Sequence, residues 1–278
     1  MEGICKNANN FNNEDYSIFV IGDVKTPVET RDYCEKLCRD FNSEVIYLDI
    51  EDQKNKFVDY IDLFNFIPLN NNTRKMIGTF LAYKSNCERV VMIDDDNYAT
   101  DNDFIKFHSI CGSEMEINCL KSSDGWFNIC ESMLEKNKIP FYPRGYPWSK
   151  RFQSNTKLEK YNKKSKIVVN GGLVLSDPDV DAVSRLFWPL EVTGIKDKYL
   201  NNFGLYPGTW SPFNDQNTSI SRNLIPVYYK PPSVLRNADI WTSYLIERIC
   251  EESKDIVTFG QQLVKQIGMN MIIGMTIH

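Results

Sequence analysis

The chain is poor in the residues on which several common chemistries depend. It holds only two histidines, His108 and His278, in 278 residues. A Ser-His-Asp triad or a histidine-rich zinc site is therefore poorly supported. It has neither a GxGxxG nor a GxxxxGK(S/T) segment, so dinucleotide-binding and P-loop readings lack their fingerprint. No stretch approaches 18 consecutive apolar residues, and no integral membrane segment is expected. Long basic runs are absent and the formal charge is -5, which argues against nucleic-acid binding. The eight cysteines form no CxxC pair. Cys34 and Cys38 lie one helical turn apart and read as small residues on the buried side of a helix rather than as a metal pair. Free thiols in a chain of this size fit a reducing compartment, so a cytoplasmic location is expected. Residues 1–15 are rich in Asn and acid and lack the apolar core of a secretory signal; they read as a flexible N-terminus.

Hydrophobic residues make up 42% of the chain and aromatic residues 13%, enough for a packed core. Residues 17–23 and 44–48 read as strands, 30–41 as a helix, 59–66 as a short helix, 74–84 as a helix and 89–93 as a further strand. That alternation argues for a parallel sheet with covering helices. Residues 108–165 lack long periodic segments and read as irregular, with 163–166 a solvated charged stretch. Residues 167–175 read as a bulged strand, 179–186 as a short helix and 240–250 as an amphipathic helix. Without internal repeats or a low-complexity linker, a single domain over residues 16–267 is the simplest account. It divides into a nucleotide-binding half (16–107) and a sugar or acceptor half (108–267). Residues 268–278 look unlike the rest: three methionines in seven residues fit neither a helix face nor a turn, and a frame change near residue 268 is one reading.

The most informative segment is Val90-Val91-Met92-Ile93-Asp94-Asp95-Asp96-Asn97. An apolar run enters three consecutive carboxylates, at the strand end where open α/β sheets bind their ligands. Adjacent acids repel, and a hard cation such as Mn2+ or Mg2+ removes that cost while leaving coordination positions for phosphates. The bland alternative is a solvated acidic turn. Asn72-Thr73-Arg74-Lys75 puts two cations at a helix N-terminus, which is unfavourable without an anion: either a phosphate or the acid triplet itself. Tyr142-Pro143-Arg144-Gly145-Tyr146-Pro147-Trp148-Ser149-Lys150-Arg151 sets two arginines among aromatic rings in a stiff turn. Rings such as Trp148 suit sugars and arginines suit phosphates, although a rigid surface loop reads the same way. Ser211-Pro212-Phe213-Asn214-Asp215-Gln216-Asn217-Thr218 is dense in groups that bond hydroxyls, or is an Asx-capped turn. Asp239 opens a helix, either as its N-cap or as a carboxylate aimed at a reacting sugar.

Taken in order, these segments resemble GT-A glycosyltransferase-like proteins. Residues 20–27, 47–53, 74–78, 177–182 and 211–218 are similar to the group containing the plant STELLO glycosyltransferases. Ile93-Asp94-Asp95-Asp96 and residues 144–151 are similar to the reversibly glycosylated polypeptide family, which includes UDP-arabinopyranose mutases. The Asn170-Gly171-Gly172 segment follows the STELLO pattern, although STELLO proteins are membrane-anchored. The resemblance implies an α/β, GT-A-type (Rossmann-like) fold: a central, mostly parallel sheet flanked by helices, with a small acceptor-side subregion. It implies a metal-dependent glycosyltransferase with a nucleoside-diphosphate sugar donor, a UDP-sugar favoured, and Mn2+ or Mg2+ on Asp94 and Asp96. It implies nucleotide or diphosphate contacts from Asp23, Lys25, Arg74 and Asp95. Arg144 and Arg151 match functional arginines of the mutase family, the first the site of reversible glycosylation there; with Asp239 they are the candidate catalytic residues. Trp148, Asn170, Gly171, Asn214 and Gln216 are the candidate sugar or acceptor contacts. The acceptor would be a glycan, a lipid-linked sugar or a protein, and a homo-oligomer is compatible with the pattern. The alternatives are a pyranose–furanose mutase and a non-catalytic sugar-nucleotide-binding protein.

Overall fold

The computed structural model describes residues 1–153, 157–187 and 189–266. The segment expected as a flexible N-terminus opens instead with helix α1 (Glu2–Asn10). Ile4, Cys5 and Ala8 form an apolar stripe that is buried. The buried Asn7 amide donates to the carbonyls of Thr100 (3.0 Å) and Asn102 (2.8 Å), and its side-chain oxygen accepts from the Phe104 N–H (3.1 Å). Polar composition had concealed a docked helix whose one buried amide is fully bonded.

Strands β1 (Ser17–Ile21) and β2 (Glu44–Leu48) pair in parallel, Ser17 opposite Glu44 through Ile21 opposite Leu48. Helix α2 (Thr30–Phe41) supplies the crossover that a parallel pair requires. Its Cys34 and Leu37 pack with Cys5 and Val45, and Cys38 borders the same cluster, as the sequence spacing anticipates. All eight cysteines are free. Helix α3 (Ile50–Lys56) begins with a capping box between Asp49 and Asp52, and α4 (Ile61–Phe66) follows. Helix α5 (Lys75–Lys84) then leads into β3 (Arg89–Ile93).

The remaining elements are β4 (Asn97–Ala99), α6 (Phe104–His108), β5 (Glu114–Ser122), β6 (Met133–Glu135), β7 (Leu158–Ser176), α7 (Ala182–Phe187), β8 (Val192–Ile195), β9 (Phe203–Leu205), β10 (Asn217–Ser221), α8 (Ala238–Ser253) and β11 (Ile256–Gln266). The large sheet runs β3-β10-β7-β5-β9-β11-β4, with β6 and β8 joined at its side and a further β7–β11 pairing. Within it only β5–β9 and β7–β11 are parallel; the other pairings are antiparallel. The molecule is thus mixed α/β, and the expected mostly parallel sheet is met only in part. Two strands account for the difference. β5 and the first half of β7 pair antiparallel through the region read as irregular, so Lys163–Lys166 belongs to a strand. β10 enters antiparallel between β3 and β7. The interrupted run at 167–175 is, as read, part of a strand with irregular register: β7 and β11 shift against each other three times.

The main core lies between this sheet, α8 and the 123–150 region, around Phe127, Val168, Ile220, Ile246 and Phe259. On the other side, Ile18 of β1 packs on the same cluster as Val91 and Ile93 of β3. Among the described residues no helix is long and apolar enough to cross a membrane. Residues 268–278, where a frame change was considered, lie outside the described residues.

Candidate functional site

The register of three strands assembles the site. Asn217 of β10 pairs with Ile93 of β3, and Thr218 pairs with Gly171 of β7. Because β10 runs antiparallel to β3, the residues just before β10 lie alongside the residues just after β3. Asp215 and Gln216 are thereby brought to Asp94–Asp96, two segments that are distant in sequence. Gly172 permits the closeness: a Cβ there would overlap the Asn217 side chain.

The acid triplet divides into three roles. Asp94 is half-buried and takes the Lys75 ammonium in an ion pair. Burial pushes its carboxyl upward, and Lys75 opposes that rise. Asp95 is exposed. Asp96 receives the Gln266 amide (2.7 Å) on Oδ2, while its Oδ1 is buried with no partner among the described residues. Gln266 also accepts from Gln216, whose own side-chain oxygen is buried with no partner among the described residues.

Lys75 continues the network to Asp215, reaching its carbonyl at 3.1 Å and its Oδ1 at 3.4 Å. The other carboxylate oxygen of Asp215 pairs with Lys230, which is almost fully enclosed and also donates to the Asn72 carbonyl (3.1 Å). Burial alone would raise the Asp215 carboxyl; the two ammoniums outweigh it and hold it down at about 2. Burial likewise disfavours the Lys75 cation, and Asp215 and Asp94 overcome it, so the ammonium stays charged.

A second group adjoins the first. Arg144 holds Asp179 through Nε (2.8 Å) and Nη2 (2.6 Å), and reaches Asp239 with Nη2 (2.7 Å). Asn214 donates to the same Asp179 oxygen (3.1 Å). Burial raises the Asp239 carboxyl, the Asp215 charge adds to the rise, and Arg144 opposes it. Tyr228 joins the two groups. Its hydroxyl is buried and unpartnered among the described residues, and after burial its upward shift comes from Asp215, Asp239 and Asp94. A small cavity of about 50 Å³ borders Asp179, Asn214, Gln216 and Gly172.

Several residues expected at the site are occupied elsewhere. Arg74, expected at a diphosphate, is buried: its guanidinium bonds the Gln53 side chain and the Ile67 carbonyl (3.2 Å) and lies 5.1 Å from the Phe64 ring. Gln53 in turn donates to the carbonyls of Gly22 (2.7 Å) and Leu48 (2.8 Å), so Arg74 braces the ends of β1 and β2. The cation at the acids is its neighbour Lys75. Asn170 is wholly buried, donating to the Phe107 carbonyl (3.0 Å) and accepting from Thr258 (2.8 Å). Gly171 packs against the Phe259 ring. Gly171 also borders the small cavity. Asp239 is not the N-cap of α8, a position held by Asn237; it stands in the first turn, where a carboxylate suits the helix dipole.

Asp23 accepts from the N–H groups of Asn70 (3.0 Å) and Asn71 (3.4 Å), tying the end of β1 to the loop before α5, and Lys25 is exposed. Arg151 is buried, pairs with Asp181 (3.2 Å) and lies 3.7 Å from the centre of the largely exposed Trp148 ring. Asp179, Asp215, Tyr228 and Lys230 were not singled out from the sequence, and Lys75 only as one of two cations that the acid triplet could pair. Lys75, Asp179 and Asp215 sit inside segments already quoted there; Tyr228 and Lys230 carry no motif. Among the described residues no group of three or more His, Cys, Asp or Glu side chains is arranged to hold a metal. No known family model matches the chain, and no curated protein matches it.

Proposed function

We propose that the protein is a metal-dependent glycosyltransferase acting on a nucleoside-diphosphate sugar, with a GT-A-like arrangement of its first half. The support for that arrangement is the parallel β1–β2 unit, the apolar cluster that Ile18 of β1 shares with Val91 and Ile93 of β3, and the acids at the C-terminal end of β3. The observation that carries the functional reading is the convergence of Asp94 and Asp96 with Lys75, Asn214, Gln216 and the Arg144–Asp239 pair across the β3–β10–β7 register.

The donor set suits a hard dication in its chemistry. Asp96 offers a buried, unpartnered carboxylate oxygen, and Asp94 stands at the strand end beside it. Asp94 and Asp96 would hold the ion, and two carboxylates leave its remaining positions to phosphate oxygens. Bound there, the ion neutralises a leaving diphosphate. Lys75 supplies a second positive charge on the same side, fixed by Asp94 and Asp215. Asn214, bonded to Asp179, and Gln216, whose side-chain oxygen has no partner among the described residues, border the cavity and would be the sugar contacts. Asp239, buried and held by Arg144, would be the carboxylate that orients a sugar or an acceptor hydroxyl.

The test incubates a panel of nucleoside-diphosphate sugars with Mn2+ and measures released nucleoside diphosphate. Asp94→Ala with Asp96→Ala should lower release at least about a hundredfold while keeping the thermal midpoint near that of the parent. Undiminished release in the double variant contradicts the proposal. A furanose product without release assigns a mutase instead.

A further inference from the structure

The opposite end of β3 carries a second charged feature. Arg89 opens β3 and pairs in register with Ser221, which closes β10; Lys166 lies on β7 beside them. A cleft of about 580 Å³ is bordered by Arg89, Lys166, Arg222, Ser113, Asn223 and Glu88. It lies about 16 Å along β3 from Asp94.

The cleft has an unbalanced charge. Arg222 spends one nitrogen on the carbonyls of Tyr83 (2.8 Å), in the last turn of α5, and Cys87 (3.2 Å), just after it, and its guanidinium sits 4.4 Å from the Tyr83 ring centre. Arg89 donates from Nε to the Cys111 carbonyl (2.7 Å) and from Nη2 to Glu88 (2.6 Å), a side chain that is 80% exposed. Carbonyls and a ring face fix the two guanidiniums without cancelling their charge. Among the described residues no carboxylate lies within ion-pair distance of Arg222 or Lys166. Among the residues that border the cleft, three cations thus stand beside one solvated carboxylate, in a chain whose formal charge is -5; Glu114, opposite Lys166 on β5, lies 3.9 Å from Lys164. Planar guanidiniums held in place suit a tetrahedral dianion, and the Lys166 ammonium adds a further charged donor. The volume lies in the range of small-molecule sites.

We propose that this cleft binds the phosphate group of a soluble phosphomonoester, at a site separate from the acid end of β3. The assignment is independent of the glycosyltransferase reading. Calorimetry in EDTA, at fixed ionic strength, tests it with inorganic phosphate, glucose 6-phosphate and glucose as probes. Saturable binding of both phosphates but not of glucose is expected. Lys166→Gln, at a half-buried strand position, should weaken it about tenfold or more. Asp94→Asn should leave it unchanged. Arg222→Gln serves as a second variant only if its thermal midpoint holds, because Arg222 bonds carbonyls in and just after the last turn of α5. Absence of phosphate binding, equal affinity in Lys166→Gln, or loss in Asp94→Asn overturns the proposal. Vesicles containing phosphatidic acid separate a lipid source: co-flotation that Lys166→Gln abolishes contradicts a soluble ligand.

Discussion

Asp215 shows how individual charges are made tolerable inside this protein. It is buried and ionised, and it is stable there only because Lys75 and Lys230 flank it. Removing its charge leaves Lys230 enclosed without a counter-ion. Asp215→Asn should therefore cost about 3–5 kcal/mol in urea unfolding, whereas Asp215→Leu with Lys230→Met should recover much of that loss. His108 makes a prediction of pH. It is buried and bonded to Ser219 and Asn217 (both 3.0 Å), and burial depresses it to about 4, against 6.5 for the free side chain. The folded state therefore binds fewer protons than the unfolded state between those values. The stability associated with His108 is complete above about 6.5 and is lost as pH falls toward about 4. The loss is on the order of 3 kcal/mol, and urea unfolding at pH 7 and pH 5 should show much of it in the parent and little in His108→Gln. At this scale the sequence was partly legible. It directed attention to Asp94, Asp96, Asn214 and Gln216, yet could not decide between Arg74 and Lys75. Both stand at one helix start, and which of them faces the acids depends on Gln53, a residue from another helix.

Elements were legible where apolar periodicity was strong and hidden where polar residues fill buried positions. The expected strands at 44–48 and 89–93 and the helix at 30–41 coincide with β2, β3 and α2. β10 does not look like a central strand: four of its five residues are Asn, Thr or Ser, and all five are buried. It is stable because those groups are bonded, Asn217 and Ser219 to His108 and Ser221 to Asn223 (2.6 Å). β5 was missed because cysteine, asparagine and serine blur its alternation. Gly172 reports directly on this packing. Gly172→Ala drives a methyl group into Asn217 and should disturb its bond to His108. A loss of about 1–3 kcal/mol is expected, measured as the shift in urea midpoint at constant slope. A variant as stable as the parent would show that β7 and β10 are not packed this closely.

For the whole molecule, the two ends of β3 carry opposite charge: carboxylates at one, arginines and a lysine at the other. The acid end is where the β3–β10–β7 register gathers amides, ammoniums and the Arg144 network around Tyr228. Strand order is what the sequence withheld, because it depends on pairings between distant segments, β3 with β10 and β4 with β11 across more than a hundred residues. The same pairings explain why motifs scattered from residue 94 to residue 239 form one site. The most direct measurement is calorimetric titration of UDP, with Mn2+ and with EDTA, into the parent and into Asp94→Ala with Asp96→Ala. Binding in the parent with Mn2+, at least about tenfold weaker in EDTA and in the double variant, is the expected result. Equal affinity in all of these conditions would contradict a metal-held diphosphate at the end of β3.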